Sequence, residues 1–598
     1  MTQPTRLFDC LNIHLKDAPS RTMLAGKEDG KWREYSTSEV ATLVNQLSAG
    51  LLAKGFGNGD KTAEGRDKIA VIAKNRPEWV ILDLAVQKIG AVLTPIYPTI
   101  GDPELEFILK DAKVKIIFVN DEHLLEKINN LKSNLPDLQD IYSFDKSEKT
   151  SHWKDILKLS TDLLQKQVEE IADKIKNEDL ATIIYTSGTT GKPKGVMLSH
   201  NNILSNVMDS MPYFPPGENM KSLSFLPLNH IFERMVSFIY LFRGTSVYFA
   251  ESMETIGDNL KEVQPHLFST VPRLLEKVYE KIMMKGEELT GIKRKLFFWA
   301  HDLATKYEIN KNQGFFYDKQ LSIANALVFK KWREALGGNL KCIISGGAAC
   351  QVRLIRIFTA ANIPIMEGYG LTETSPVISV NRYEEEGRMF GTVGPLISHV
   401  EVKIAEDGEI LCKGPNVMMG YYKSPELTAE VMDGAWFKTG DIGTLIDGKF
   451  LKITDRKKEM FKTSGGKYVA PGVVENKMKE SPFIENIMVV GAGEKFTSAL
   501  IVPAFSNVLN WCKENNVDCK SNEEMVNNEQ IIDLFKKEVD RLNQYFSHVE
   551  QVKKFKLLPN EWGIDSGEMT PKLSLKRKII MEKNKDTIRS IYENNLPD

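Results

Sequence analysis

At 598 residues the chain is longer than one ordinary domain, so at least two are expected. Hydrophobic residues make up 42% and charged residues 26%, a soluble globular balance. The net charge of −2 argues against a dedicated nucleic-acid binder, which would be basic.

The six cysteines (Cys10, Cys342, Cys350, Cys412, Cys512, Cys519) form no C-x-x-C pair, so neither a zinc site nor a redox site is expected. So few cysteines in so long a chain fit a reducing compartment. The first residues, MTQPTRLFDCLNIHLKD, lack the continuous apolar core of a secretory signal. The most apolar windows, 69–93 and 235–250, are broken by charges such as Lys74, Asp83 and Arg243, so no membrane span is expected. The terminal NLPD is no peroxisomal address. The expected location is cytoplasmic, with peripheral contact at the inner membrane face left open.

In chain order, STSEVATLVNQLSAGLLAKG (36–55) has helical spacing, with Ser36 and Glu39 as a capping box and Gly55 as the stop. KIAVIA (68–73), AVLTPIYP (91–98) and VKIIFVN (114–120) read as buried strands separated by helical segments. That alternation predicts an α/β fold, a parallel sheet with helices on both faces. ATIIYTSG (181–188) is a strand running into a glycine loop, and KCIISGGA (341–348) is a second such junction. FIYLFRGTSVYF (238–249) is rich in aromatics and reads either as a core strand or as the lining of an acyl tunnel. Residues 274–336 are charged, helical and poor in strand signals. Their Lys277, Lys281, Lys285, Lys293, Arg294 and Lys295 read as a solvated helix face or as a contact for anionic lipid.

From about residue 392 the strands shorten, with Asp-Gly hairpin turns in EDGE and IDGK. A mixed helix-and-strand tail follows. The expected division is a large N-terminal domain (1–457) containing a β-rich subdomain (392–457), and a small α+β C-terminal domain (458–598).

YTSGTTGKPKG (185–195) packs three glycines, four Ser/Thr hydroxyls and two lysines into eleven residues, a composition suited to holding phosphate. It is not a P-loop. That pattern needs a hydroxyl straight after its Gly-Lys to hold magnesium, and here Pro193 follows Gly191-Lys192.

The loop resembles the signature of the adenylate-forming enzymes: acyl-CoA synthetases, luciferases and peptide-synthetase adenylation domains. GYGLTET (368–374) resembles their adenine and magnesium motif, WFKTGD (436–441) their ribose motif, and DRKKEMFKTSGGKYVAP (455–471) their hinge. NRPEWVILDLAVQKIGAVLTPIYPT (75–99), SFLPLNHIFERM (224–235) and FKTSGGKYVAP (461–471) resemble the long-chain acyl-CoA synthetases.

The resemblance implies a two-step reaction. A long-chain fatty acid and ATP give acyl-adenylate and pyrophosphate, and coenzyme A then displaces AMP. It further implies that Thr186, Ser187, Gly188, Thr189, Thr190, Gly191, Lys192 and Lys194 hold the β- and γ-phosphates. Thr186 and Glu373 would stand beside Mg2+. Tyr369 would stack on adenine, with Gly346, Gly347 and Ala348 on its other side and Gly370 and Thr372 nearby. Asp441 would accept both ribose hydroxyls, and Arg456 would reach ribose or phosphate. His230 would lie near the carboxylate. Lys458 would be the hinge of a mobile C-terminal domain, and Gly465 and Gly466 would face the pantetheine channel. Taken singly, Glu373 also reads as a helix N-terminal carboxylate, Asp441 as a turn residue and Arg456 as a surface ion-pair partner.

The chain departs from the family at TPKLSLKR (570–577). Ser574 stands where the family carries a lysine that contacts the acyl phosphate. Lys572 and Lys576, two residues to either side, share its face in an extended segment and are the candidate substitutes. Two rival readings stay open: a ligase that passes its acyl-adenylate to a carrier protein, and a non-catalytic acyl- or nucleotide-binding protein. No nucleic acid is expected, and the chain is expected to be a monomer or homodimer.

Overall fold

The computed structural model describes residues 3–57, 59–187, 192–563, 566–570 and 574–593, the Ser187 side chain excepted. Five expected site residues, Gly188, Thr189, Thr190, Gly191 and Lys572, therefore lie outside the described residues.

Two eight-stranded sheets carry the larger part of the fold. In one, the strands Cys342–Ser345 and Ile365–Gly370 run parallel side by side, with Val377–Val380 antiparallel at the edge. In the other, Leu180–Ser187 lies beside Val92–Ile96 and turns back antiparallel into Pro193–Ser199. The sheets are thus mixed, with parallel centres and antiparallel pairing at both edges of the first and at one edge of the second, where the strand–helix alternation alone predicts parallel pairing. The glycine loop joins the two strands of this β-hairpin.

One hydrophobic core takes residues from both sheets and from helices that include Pro77–Lys88 and Ile231–Arg243. Every residue of Pro77–Lys88 is buried, so it is enclosed on all sides rather than amphipathic. Its Asp83 accepts two hydrogen bonds from Arg234, 2.8 Å from Nε and 2.5 Å from Nη2. Arg234 Nη1 also donates to Thr182 Oγ1 at 2.8 Å. One guanidinium thereby fastens two buried helices to the strand that leads into the glycine loop. Such a pair stays ionised in the interior only because each partner satisfies the other.

Local signals hold closely. Ser36 Oγ accepts the Glu39 N–H at 3.2 Å, and Gly55 takes φ +87° at the helix end. The Glu39 carboxylate pairs with Arg33, so the capping box is closed from one side only. At the Asp447-Gly448 turn both residues have positive φ, 51° and 65°, as a two-residue hairpin requires. The strand reading of 238–249 fails in its first half. Residues up to Arg243 complete a helix, Gly244 (φ +70°) ends it, and only Ser246–Phe249 forms a strand. A short aromatic run inside the core carries no period to separate the two states.

The strands Glu401–Ile404, Glu409–Lys413, Met432–Asp433, Trp436–Ile446 and Phe450–Arg456 form a five-stranded antiparallel sheet. Farther along, Ile484–Val490, Ser498–Pro503 and Lys554–Leu557 make a three-stranded sheet. It belongs to a separate hydrophobic core whose buried residues run from Val474 to Ile591. This part meets the rest through contacts that include an Arg273–Glu485 ion pair, a 3.4 Å bond from Gln351 Nε2 to the Lys479 carbonyl, and a 2.7 Å bond from the Gly472 N–H to Asp455 Oδ2, where the helix Pro471–Met478 packs on the strand Phe450–Arg456.

Candidate active site

The glycine-loop hairpin is in register at Thr186 opposite Lys194 and Tyr185 opposite Gly195. A Cβ at residue 195 would meet the Tyr185 ring at 3.1 Å, so the small residue lets that ring cross the hairpin. Tyr185 in turn donates to Asp111 Oδ2 at 2.5 Å. On the other strand the Lys194 ammonium lies 5.2 Å from the Tyr421 ring centroid. The Tyr421 hydroxyl donates to Glu373 Oε1 at 2.8 Å. Lys194, Tyr421 and Glu373 form one chain of contacts beside Thr186. Glu373 belongs to a single 3-10 turn, Thr372–Thr374, so it does not open a long helix. Lys192 is exposed.

Thr186 and Glu373 offer a hydroxyl and one carboxylate. That donor set fits a nucleotide-bound Mg2+, whose shell is completed by phosphate oxygens and water. Among the described residues no group of three or more His, Cys, Asp or Glu is placed to hold a metal by itself.

Tyr369 and Asp441 meet. The Tyr369 hydroxyl donates to Asp441 Oδ2 at 2.7 Å. Asp441 sits inside the strand Trp436–Ile446, not in a turn, and Gly440 before it has φ +73°. Across the sheet Asp441 pairs in register with Arg456, whose Nε lies 3.6 Å from Oδ1. Burial pushes the Asp441 carboxyl up, while the Arg456 charge and the Tyr369 hydroxyl pull it back. At Gly370 a Cβ would fall 1.7 Å from the Pro376 carbonyl oxygen, a contact that only glycine permits. Thr372 is buried.

Gly346, Gly347 and Ala348 follow the strand Cys342–Ser345, next to the strand that carries Tyr369. Gly347 has φ +82°, and a Cβ on Gly346 would sit 3.1 Å from the Phe232 ring. The N–H of that same Phe232 donates to His230 Nδ1 at 3.1 Å, so His230 caps the helix Ile231–Arg243. Because Nδ1 accepts, a neutral His230 ring carries its proton on Nε2. Phe232 thus links the Gly346 loop to His230.

Three residues absent from the quoted motifs, or unremarked within them, shape this region. Tyr421 lies in a two-residue strand with no readable period. Glu367 is buried, takes the Cys350 N–H at 2.8 Å and so holds down the loop after Ser345. Burial pushes its carboxyl up to about 7. Glu233 is buried beside His230 and accepts from Ser224 Oγ at 2.6 Å and from Ser269 Oγ; burial raises it to about 7 against those two donors. A glutamate next to glycine or phenylalanine gives no sequence signal of burial.

Lys458, Gly465, Gly466 and Lys576 belong to other surroundings. Lys458 lies between the strands Phe450–Arg456 and Phe461–Lys462. Gly465 and Gly466 occupy the exposed turn before Tyr468–Val469, where the Gly466 N–H bonds the Thr463 carbonyl. Ser574 exchanges bonds with Thr570: its carbonyl takes the Thr570 N–H at 2.9 Å, and its own N–H reaches Thr570 Oγ1 at 3.2 Å. Lys576 bonds the Glu568 carbonyl and precedes the helix Arg577–Lys583, which Arg577 anchors to Glu475.

A family model described as AMP-binding enzyme matches residues 12–422, and one described as AMP-binding enzyme C-terminal domain matches residues 459–596. The chain belongs to this family of AMP-binding, adenylate-forming enzymes. Within it, the chain falls among the long-chain acyl-CoA synthetases. It is 30% identical over 587 residues to the long-chain-fatty-acid–CoA ligase FadD15 of Mycobacterium bovis, covering 97% of this chain and 96% of that one. Long-chain-fatty-acid–CoA ligase 1 of Homo sapiens is 32% identical over 602 residues, with 95% and 83% covered. Among solved structures, the A domain of a carboxylic acid reductase from Segniliparus rugosus, in complex with AMP and a co-purified carboxylic acid, superposes with a TM-score of 0.75 at 18% identity. That match covers 100% of this chain and 95% of that one. A Mycobacterium tuberculosis fatty acyl CoA synthetase gives 0.64 at 19%, covering 98% and 99%. At these identities the structures speak for the fold.

Proposed function

We propose that the chain is an AMP-forming fatty acid–CoA ligase acting on long-chain substrates. The observation that carries this is the Tyr369–Asp441 hydrogen bond, which brings an aromatic face and a buried carboxylate together one strand away from a glycine loop. A flat base over Tyr369 and a cis-diol on Asp441 are what a nucleoside needs.

A carboxylate is a poor acyl donor, because its leaving group would be oxide. In the first step a carboxylate oxygen attacks the α-phosphorus of ATP and pyrophosphate leaves. In the second the thiolate of coenzyme A attacks the acyl carbon, and AMP leaves with the electron pair of the acyl–oxygen bond. Thr186 and Lys194, with Lys192 and the glycine loop, hold the departing pyrophosphate, where fixed donors lower the barrier most. Lys194 is steadied by the Tyr421 ring and Glu373 by its hydroxyl. Thr186 and Glu373 would hold Mg2+, which would supply charge neutralisation at the phosphates. His230 stands at the positive end of the helix Ile231–Arg243, which favours an incoming carboxylate.

The C-terminal part, taken from residue 458, has its own hydrophobic core, tied to the rest by polar contacts that include Arg273–Glu485, Gln351–Lys479 and Gly472–Asp455. That supports a domain which turns about Lys458 between the two steps, bringing Gly465 and Gly466 toward the pantetheine arm. The deciding experiment is coenzyme A consumption across carboxylates from acetate to long-chain acids, with product mass. Pyrophosphate release without a thioester product would point to transfer onto a carrier protein. Binding of ATP and fatty acid without turnover would end the enzymatic reading.

A further inference from the structure

The helix Phe315–Ala324 continues through the π-helical Asn325–Phe329 into Lys330–Ala335. Its inner side is anchored: the Tyr317 hydroxyl bonds the Leu303 carbonyl at 2.9 Å, and Ala324, Val328, Phe329 and Trp332 are buried in the core beneath. Its outer side is also apolar. Phe316 is 80% exposed, Leu327 58% and Ile323 43%, and with Gln320 they recur at i, i+4, i+7 and i+11, one helix face. Phe315, beside them, is 74% exposed. Single exposed apolar side chains are ordinary, but a contiguous apolar ridge on a helix that already has a buried face marks an interaction surface.

The charge around this ridge selects the occupant. Lys319, Lys330 and Lys331 on the same helix are exposed. Residues 272–336 hold thirteen Lys and Arg against eight Asp and Glu, a net of +5, whereas the whole chain carries −2. The exposed Lys281, Lys285, Lys293, Arg294 and Lys295 belong to the same helical segment. A second copy of the chain would bring this cationic face against itself, since a twofold interface is isologous. An anionic lipid surface answers both features: aromatic and aliphatic side chains enter the headgroup boundary while lysines meet the phosphates.

We propose that the ridge Phe315, Phe316, Ile323 and Leu327, with its lysine surround, docks the protein on anionic bilayers. The proposal rests on the long-chain fatty acid reading, because such acids partition into lipid. No described helix is long and apolar enough to cross a membrane, so the contact is peripheral.

The test is sedimentation of the full chain with vesicles of phosphatidylcholine alone or with one-third phosphatidylglycerol, in the absence of ATP and coenzyme A. The parent protein is expected to pellet with the anionic vesicles and to be released by salt. A Lys319→Gln/Lys330→Gln/Lys331→Gln variant should bind about a hundredfold more weakly, at roughly fivefold per cation. Phe316→Ser/Leu327→Ser should abolish binding and leave the rate on a water-soluble carboxylate without vesicles unchanged. A parent protein that stays in the supernatant, or variants that bind as tightly as the parent, would overturn the proposal. So would a concentration-dependent dimer in sedimentation velocity that Phe316→Ser disperses, since the face would then be an interface between copies. Vesicle binding without ligase activity would keep the docking surface and remove the enzymatic reading.

Discussion

Tyr369 and Asp441, 72 residues apart in the chain, are joined by a 2.7 Å hydrogen bond from hydroxyl to carboxylate. Asp441 is buried, and its carboxyl would be pushed further up without the Arg456 charge beside it. Asp441→Ala should therefore raise KM for ATP by about a hundredfold, the loss of two hydrogen bonds to a charged acceptor. Tyr369→Phe, which removes one donor and keeps the ring, should raise it about tenfold. Arg456→Gln should move the acid limb of the KM–pH profile to higher pH, because the carboxylate then protonates earlier. A profile unmoved by Arg456→Gln would show that this charge does not act on Asp441.

Ser574 stands where the family resemblance implies a lysine that contacts the acyl phosphate. Lys572→Ala and Lys576→Ala, assayed for pyrophosphate release, should identify the substitute. Lys572 is expected to give the larger drop, and Lys576 is fixed by its backbone bond to Glu568 at the start of the helix Arg577–Lys583. If neither variant slows release, the role lies elsewhere in the chain.

Lys458→Pro should spare acyl-adenylate formation and depress thioester formation, since a fixed φ blocks rotation at one backbone position. Single-turnover assays of each half-reaction decide this. Equal loss in both would refute a hinge at that residue.

Asp83 and Arg234 are 2% and 1% exposed. Removing one partner strands a buried charge, so Asp83→Asn or Arg234→Met should cost about 3–5 kcal/mol in urea unfolding. Asp83→Leu/Arg234→Met should recover much of it. Arg234 also holds Thr182, four residues before Thr186, and its helix begins just after His230. Single variants that still fold should therefore lose kcat as well. A double variant no better than the singles would show that the pair is not the source of the loss.

Glu367 binds its proton more tightly in the folded protein, at about 7, than in the unfolded chain, at 4.5. Its contribution to stability is complete below about pH 4.5 and is lost as pH rises through 7, roughly 3 kcal/mol in all. Glu367→Gln keeps an acceptor for the Cys350 N–H and cannot ionise. Relative to the parent, its melting temperature should gain on going from about pH 5 to about pH 8. A constant difference across that range would place the proton elsewhere.

The sequence by itself determined the residue types of the site and where local backbone geometry would bend. The phosphate-holding composition, the Asp-Gly hairpins, the Ser36 cap and the departure at Ser574 are properties of a few adjacent residues, and backbone preferences act over that range. The pairing of Tyr421 with Glu373, of Tyr369 with Asp441 and of Arg234 with Asp83 spans 48, 72 and 151 residues. No local preference encodes such a distance. Only packing in the tertiary structure decided it, by choosing which carboxylates to bury and therefore which hydroxyls and cations must come to satisfy them. The same packing decided which apolar residues found no core to enter, and so left Phe316 and Leu327 facing outward.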